Sequence, residues 1–110
     1  MSKRAKTILP IHPGETLRED FLKPLGLSVH RLSAELFVPA TRMNDIVRGK
    51  RAITADTALR LARYFGTTPQ FWLNLQSNYE LEMIEDAHAE EILSRVRVAR
   101  CDSNARAGLT

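Results

Sequence analysis

The chain has 110 residues, of which 44% are hydrophobic and 26% are charged, and its formal net charge is +3. This length suits one domain with one core and excludes a catalytic domain joined to a regulatory one, while the composition argues against disorder throughout. The charge is uneven: residues 1–51 carry ten Lys and Arg against five Asp and Glu, whereas residues 79–91 carry six acidic residues and no Lys or Arg. Two regions of opposite sign predict two different partners.

Helical periodicity recurs along the chain and strand alternation does not, which predicts an all-α fold. Pro13 is predicted to open the first helix, because a missing N–H costs little in the first turn. Pro24 and Gly26 are expected to end it. The inward face of this helix is predicted to consist of Leu17, Phe21 and Leu22.

Two short helices are predicted next, separated by a tight break. Ser28 is a good N-cap for the second helix, which should stop near Phe37. Pro39 can open the third helix, which is predicted to run to about Arg48, and Gly49 suits a left-handed cap. The buried faces are predicted to hold Leu32 and Leu36 in the second helix and Met43, Ile46 and Val47 in the third.

Threonines are predicted to cap the two remaining helices. Thr54 precedes a fourth helix that ends before Gly66, and Thr68 precedes a long fifth helix. Ala58, Leu61, Ala62 and Phe65 are spaced for burial in the fourth. The apolar set of the fifth is too wide for one stripe, which predicts contact with a second chain as well as with the core. The predicted dimer interface consists of Phe71, Trp72, Leu75, Tyr79 and Met83.

The predicted organisation has three parts. Residues 1–11 form a basic arm whose Lys3, Arg4 and Lys6 are either disordered or follow a phosphate backbone. Residues 12–88 form the folded domain, which contains all five helices and ends in a C-terminal dimerisation helix. Residues 89–110 form a helical extension and a frayed tail.

The second and third helices have the pattern of a helix-turn-helix unit, in which apolar contacts hold a helix with a polar outer face. If the apolar side of the third helix faces the core, its rotation places a polar set outward and Arg42 at its flank. Arg can bridge guanine N7 and O6, Asn can bridge adenine N7 and N6, and a Thr methyl can contact a thymine methyl. The predicted base-reading residues are Ala40, Thr41, Arg42, Asn44 and Asp45.

Positive charge and a helix start predict contacts with the DNA backbone. Arg48, Lys50 and Arg51 cluster at the end of the third helix and can track phosphates. Ser28 and His30 stand at the start of the second helix, where a phosphate can meet a hydroxyl and the positive end of the helix dipole. The alternative is an ordinary solvated helix face followed by a solvated loop.

Three motifs, "HPGE", "VPATRMNDIVRGKRAITADTALRLARYFG" and "FWLNLQ", occur in this order. Over about residues 8–83 the chain resembles the HigA branch of the phage-repressor-like helix-turn-helix proteins, the antitoxins also called virulence-associated protein I-like. The resemblance implies a five-helix, phage-repressor-like domain, a homodimer, a two-fold symmetric operator in double-stranded DNA, and a RelE-like HigB toxin that cleaves mRNA. It also implies base contacts by Thr41, Arg42 and Asn44, and phosphate contacts by Ser28, Arg48, Lys50 and Arg51.

Phe37 departs from the family pattern. Phage-repressor-like sequences commonly have Gly in the turn between the two helices, and this chain has "LFV". A bulky residue with positive φ costs about 1–3 kcal/mol. Either the turn is altered or Phe37 gains energy by packing.

Other functions find little support in the sequence. The three histidines and Cys101 lack metal-ligand spacing, and no glycine-rich loop follows a strand, so we predict no enzyme, metal or cofactor. His12 is interpreted as a helix-entry residue rather than a ligand, and Trp72 as core or dimer interface rather than a pocket wall. A lone cysteine, no signal-peptide core and no apolar segment of about 18 residues predict a cytoplasmic protein without membrane contact.

The acidic segment 79–91 has two interpretations, a solvated helix face or a surface that meets a basic toxin and competes with RNA. Two alternative functions also stay open. One is a helix-turn-helix regulator without a toxin, and the other is a protein-interaction module that does not bind DNA.

Overall fold

The computed structural model describes residues 10–99, and within that range every regular element is a helix. The first helix, α1, consists of the consecutive segments Pro13–Thr16, Leu17–Leu22 and Lys23–Leu25, the middle one with π-helical hydrogen bonds. The other helices are α2 (Val29–Leu36), α3 (Ala40–Val47), α4 (Ala55–Phe65) and α5 (Pro69–Arg95). The predicted five-helix, all-α fold is confirmed.

Three helices begin at the predicted caps. The hydroxyl oxygen of Ser28 accepts from the N–H of Arg31 at 3.0 Å. The hydroxyl oxygen of Thr54 accepts from the N–H of Thr57 at 3.5 Å, and that of Thr68 accepts from the N–H of Phe71 at 3.1 Å. Each cap satisfies one N–H that has no partner within its helix, which is why these positions can be identified from local sequence.

Pro24 does not interrupt α1, contrary to the prediction, and the helix ends at Leu25 before the left-handed Gly26. The reason lies in the π-helical turn just before it, where the N–H of Lys23 donates to the carbonyl of Arg18. A proline has no N–H to donate and crowds the carbonyl four residues earlier. Because the π turn displaces that ladder of bonds, the proline fits inside the last turn.

The helices enclose one core, to which every helix contributes. Its fully buried centre includes Leu17, Leu32, Met43, Leu61 and Trp72. The indole N–H of Trp72 donates to the hydroxyl of Thr67 at 2.7 Å, so its polar atom is satisfied inside the subunit. The prediction that Trp72 lies in a dimer interface is therefore wrong, because 0% of the residue is exposed for a second chain to contact.

Helices α2 and α3 pack directly against each other and form the predicted unit. Met43, Ile46 and Val47 are buried as expected, and Gly49 adopts the left-handed conformation after the helix. α3 is one residue shorter at each end than predicted. Pro39 is its N-cap rather than its first residue, and Arg48 is its C-cap.

Phe37 resolves the question raised by the turn in an unexpected way. Its φ is 60°, so the turn keeps the left-handed conformation that favours Gly. The expected compensation by packing is absent, because 86% of the residue is exposed. The described part of the chain thus carries the conformational cost of Phe37 without burying its ring.

Replacing Phe37 with Gly is expected to raise the free energy of unfolding by about 1 kcal/mol. Relief of the left-handed strain exceeds the extra entropy that Gly loses on folding, and the exposed ring gives up little packing. Urea titration measures the difference. Phe37→Ala keeps the Cβ and should stay close to the unchanged protein, and a less stable Phe37→Gly variant would refute this explanation.

His12 and Gly14 position α1 against α3. The Nδ1 atom of His12 accepts from the N–H of Gly14 at 2.8 Å, and Cγ of His12 lies 3.8 Å from a Cβ built on Gly49 in the loop after α3. The ring packs edge-on against Tyr79, with the centroids 4.9 Å apart. A Cβ built on Gly14 would lie 1.8 Å from the carbonyl oxygen of Ile46, so the two helices touch through their backbones. His12 is therefore a helix-entry residue that also fixes the loop after α3.

The stability of the fold is expected to fall as the pH drops below about 6.5. Burial lowers the pKa of His12 and outweighs the opposing effect of the Arg51 backbone, so the unfolded chain takes up that proton first. The stabilisation is complete above the unfolded-state pKa and is lost as the pH falls through the folded-state value. Urea midpoints between about pH 7.5 and 5.5 measure it. His12→Asn, which can still cap α1, should reduce this slope, and an unchanged slope would assign the effect to other groups.

The long helix α5 extends beyond the body of the domain. It contacts α4 and α1 through its first half, where Trp72 and Gln76 are buried. From Glu80 to Arg95 every residue except the half-buried Ala89 is exposed. The helix thus continues through residues 89–95. The proposed arm lies almost wholly, and Cys101 wholly, outside the described residues, and the three-part organisation stays a prediction.

Candidate nucleic-acid interface

The outer face of α3 carries most of the predicted base-reading residues. Thr41 and Asn44 are exposed, and neither side chain makes a hydrogen bond within residues 10–99. Ala40 is half-buried at the start of the helix. Unoccupied donors and acceptors on a rigid helix are what base recognition requires.

Arg42 does not extend freely from this face. Its Nη1 atom donates to Oδ2 of Asp56 at 2.8 Å and to the hydroxyl of Thr57 at 3.4 Å, and its side chain is 28% exposed. Both acceptors lie in the first turn of α4. The guanidinium is therefore anchored between the two helices, which rotation about α3 alone does not predict.

Asp56 is shared between two arginines. Nε of Arg60 donates to the same Oδ2 atom at 3.1 Å, and Nη1 of Arg60 donates to the carbonyl of Leu36 at 2.8 Å. Hydrogen bonds from Arg42, and next from Arg60, hold the pKa of Asp56 below its ordinary value. The carboxylate therefore stays ionised near neutral pH and links α3 to the turn that precedes it.

The predicted phosphate contacts lie at the two ends of the helix pair. Arg48 and Lys50 are exposed at the end of α3 and form no ion pair within the described residues. Ser28 is occupied as the cap of α2, and His30 is exposed in the first turn of that helix. All of these assignments stay predictions.

Asp45 and Arg51 are brought together, although they were assigned to different roles. Nη2 of Arg51 lies 3.7 Å from Oδ2 of Asp45, and both side chains are partly exposed. The pair lowers the positive charge available at this end of α3. Arg48 and Lys50 are consequently the stronger candidates for phosphate contact.

Gln76 supports the loop that follows α3, and the sequence did not identify this role. Its side chain is buried, its oxygen accepts from the N–H of Ile53 at 2.8 Å, and its amide donates to Glu80 at 2.8 Å. A buried amide with both ends satisfied fixes the loop against α5. Its place in the motif "FWLNLQ" was the one signal in the sequence. The role of Asp56 as a partner of Arg42 had no signal in the sequence. An acidic residue in the first turn of a helix is ordinarily explained by the helix dipole.

Residues 10–99 offer neither a metal site nor a membrane span. No group of three or more His, Cys, Asp or Glu side chains is arranged to hold a metal ion within that range. None of the described helices combines the length and the apolar character needed to cross a membrane.

Comparison with known proteins points to helix-turn-helix regulators. Residues 19–72 match a family model described as helix-turn-helix. Virulence-associated protein I of Dichelobacter nodosus is 61% identical over 75 residues, which cover 68% of this chain and 69% of that protein. Antitoxin HigA-1 of Vibrio cholerae serotype O1 is 33% identical over 82 residues, which cover 74% and 77% of the two chains.

A solved structure of Pseudomonas aeruginosa antitoxin HigA with the higBA promoter has the same fold. Its TM-score is 0.79 at 46% sequence identity, and the match covers 83% of this chain and 99% of that one. At this identity the similarity extends beyond the general fold to the sequence of the domain.

Proposed function

Because the chain belongs to the helix-turn-helix family that includes virulence-associated protein I and the HigA antitoxins, we propose that it is an antitoxin and a repressor of its own operon. It binds double-stranded DNA as a homodimer and neutralises a RelE-like HigB toxin. The observation that carries DNA binding is the outer face of α3, where Thr41 and Asn44 are exposed without partners among residues 10–99. The P. aeruginosa HigA structure with its promoter supports the same role.

Footprinting on the DNA upstream of the gene tests this proposal. A dimer that places one α3 in each of two successive major grooves protects two half-sites about 34–36 Å apart, or a multiple of that, related by two-fold symmetry. Scrambled DNA of equal length is the control. Protection of neither DNA, or of both equally, would favour the alternative of a protein-interaction module.

Replacing Lys50 with Ala is expected to lower the slope of log K against log salt concentration by about one unit. Lys50 is exposed and without an ion pair in the described chain, so a phosphate contact would release about one counterion. Binding titrations at several salt concentrations measure the slope. Lys23→Ala removes the same charge from α1, where Lys23 pairs with Glu19, and should leave the slope unchanged. Equal slopes for all three proteins would remove Lys50 from the interface.

The second half of α5 supports the homodimer. Exposed apolar side chains that cluster on a projecting helix are typical of a contact surface with a partner. At about 100° per residue, Leu81, Ile84 and Ile92 fall within roughly 80° of arc and form an apolar stripe that His88 interrupts between Ile84 and Ile92. Phe71 and Met83 of the predicted interface set are also exposed. The other members, Leu75 and Tyr79, are half-buried in the domain.

Sedimentation equilibrium of two matched variants tests the dimer. Ile84→Asn places a polar side chain in the stripe and should shift the protein toward monomer. Leu93→Asn changes a side chain that is 81% exposed and lies about 100° away from Ile92 around the helix. It should leave the dimer intact. Equal behaviour of the two variants would remove the stripe from the interface.

The acidic segment 79–91 is the proposed toxin-facing surface, because complementary charge speeds and orients association with a basic partner. Glu80 already accepts a hydrogen bond from Gln76, so the test spares it. Replacing Glu82 and Glu85 with Gln and Asp86 with Asn should weaken toxin binding and its salt dependence. Unchanged affinity at two salt concentrations would eliminate this surface. A separate observation distinguishes an antitoxin from a stand-alone regulator. An antitoxin gene should have a neighbouring reading frame that encodes a small basic protein.

A further inference from the structure

An acidic residue stands beside the proposed DNA-binding face, where its charge opposes the approach of phosphates. Asp56 is 54% exposed, and it lies on α4 rather than on the recognition helix α3. Its carboxylate binds Arg42 at 2.8 Å and Arg60 at 3.1 Å. A negative charge in this place weakens attraction to any DNA. Any favourable effect of Asp56 on DNA binding therefore has to come through Arg42, the residue of α3 that it holds.

One edge of the Arg42 guanidinium has no hydrogen-bond partner among residues 10–99, and 28% of the side chain is exposed. Asp56 and Thr57 occupy Nη1, whereas Nε and Nη2 donate to no other atom of residues 10–99. Two adjacent N–H groups form the fork that matches N7 and O6 of guanine. A side chain held at one nitrogen also loses less conformational freedom when the other edge binds a base.

A second contact fixes Asp56 relative to the helix-turn-helix unit. Arg60 donates to the carbonyls of Leu36 and Phe37 at 2.8 and 3.4 Å, which belong to the last residue of α2 and to the first residue of the turn before α3. Arg60 thus connects the carboxylate of Asp56 to the backbone just before α3. The ion pair between Asp56 and Arg42 then holds the side chain of Arg42 from the side of α4.

We propose that Asp56 is a positioning residue that holds Arg42 with its Nε–Nη2 edge toward a guanine and so sets sequence preference at one base pair. This inference rests on the proposed DNA-binding function. Asp56 on α4 would then contribute to the sequence specificity of α3 by fixing the orientation of Arg42.

Replacing Asp56 with Asn separates positioning from simple electrostatics, because the two predict changes of opposite sign. Loss of a negative charge alone makes binding to the upstream DNA and to random DNA tighter. Loss of positioning weakens binding to the upstream DNA by about tenfold and leaves binding to random DNA unchanged or slightly tighter. Asp20→Asn removes an equal charge from α1 and serves as the matched control. Thermal unfolding of each variant verifies the fold.

Two further variants make the result specific to Arg42. Asp56→Glu keeps the charge but lengthens the side chain, and it should also reduce the preference for the upstream DNA. In the background of Arg42→Ala, Asp56→Asn should cause no further loss of preference. An Asp56→Asn protein that retains the wild-type preference, or that loses it equally in the Arg42→Ala background, would overturn the role of Asp56. A wild-type protein without any preference would overturn the proposed function itself.

Discussion

Replacing Gly14 with Ala is expected to destabilise the protein by about 3 kcal/mol, a large effect for the addition of one methyl group. The added Cβ would lie 1.8 Å from the carbonyl oxygen and 2.8 Å from the carbonyl carbon of Ile46. Both atoms belong to the backbone of α3, so no rotamer change can relieve the overlap. The start of α1 and the end of α3 would have to separate, which opens the core around Met43 and Leu17. Urea denaturation measures the loss.

Gly26→Ala is the matched control for this prediction. Gly26 has a φ of +62°, and nothing lies within 4 Å of a Cβ built on it. An alanine there costs only the strain of the left-handed conformation, about 1 kcal/mol. If both variants lost the same stability, close contact between α1 and α3 would not be what requires Gly14.

Replacing Arg42 with Ala should weaken binding to the upstream DNA by about 1–3 kcal/mol, or roughly 5- to 150-fold, and should relax preference at one base pair. The expected loss on random DNA is smaller, because a base contact contributes there only through its charge. Folding should change little, since Asp56 is 54% exposed and keeps its bond to Arg60. Competition titrations with the two DNAs measure the difference.

Arg42→Lys distinguishes base reading from charge. Lysine keeps the positive charge but lacks the planar fork that bridges guanine N7 and O6. It should therefore lose much of the preference for the upstream DNA while its binding to random DNA stays near that of the wild type. Equal losses on both DNAs in Arg42→Ala, with full recovery in Arg42→Lys, would show that Arg42 contacts a phosphate instead.

Features that depend on a few neighbouring residues were predictable from the sequence. The three caps and the buried face of α3 follow from local hydrogen bonding and from a 3.6-residue period. Phe37 was singled out as the unusual residue of the turn, but the sequence left open whether the turn was altered, and the structure shows that it keeps the left-handed conformation. Local rules could not show that its ring would be exposed, since packing depends on the whole fold.

Features that join distant elements were not predictable. The bond between Arg42 and Asp56 depends on where α4 lies relative to α3, and the approach of Gly14 to Ile46 depends on how α1 crosses α3. Pro24 was misjudged for a related reason, because the sequence gives no sign of the π-helical turn before it. Trp72 was placed at the dimer interface because a wide apolar set cannot by itself separate core from contact surface.

The ratio of the dissociation constants for random DNA and for the DNA upstream of the gene, measured at about 0.15 M salt, tests the central claim most directly. A sequence-specific repressor of this kind should prefer the upstream DNA by at least about 10³-fold. Arg42→Ala should reduce that ratio, whereas Lys50→Ala should weaken both affinities and leave the ratio nearly intact. A ratio near one, or no binding to either DNA, would contradict the assignment of α3 as a DNA-reading helix.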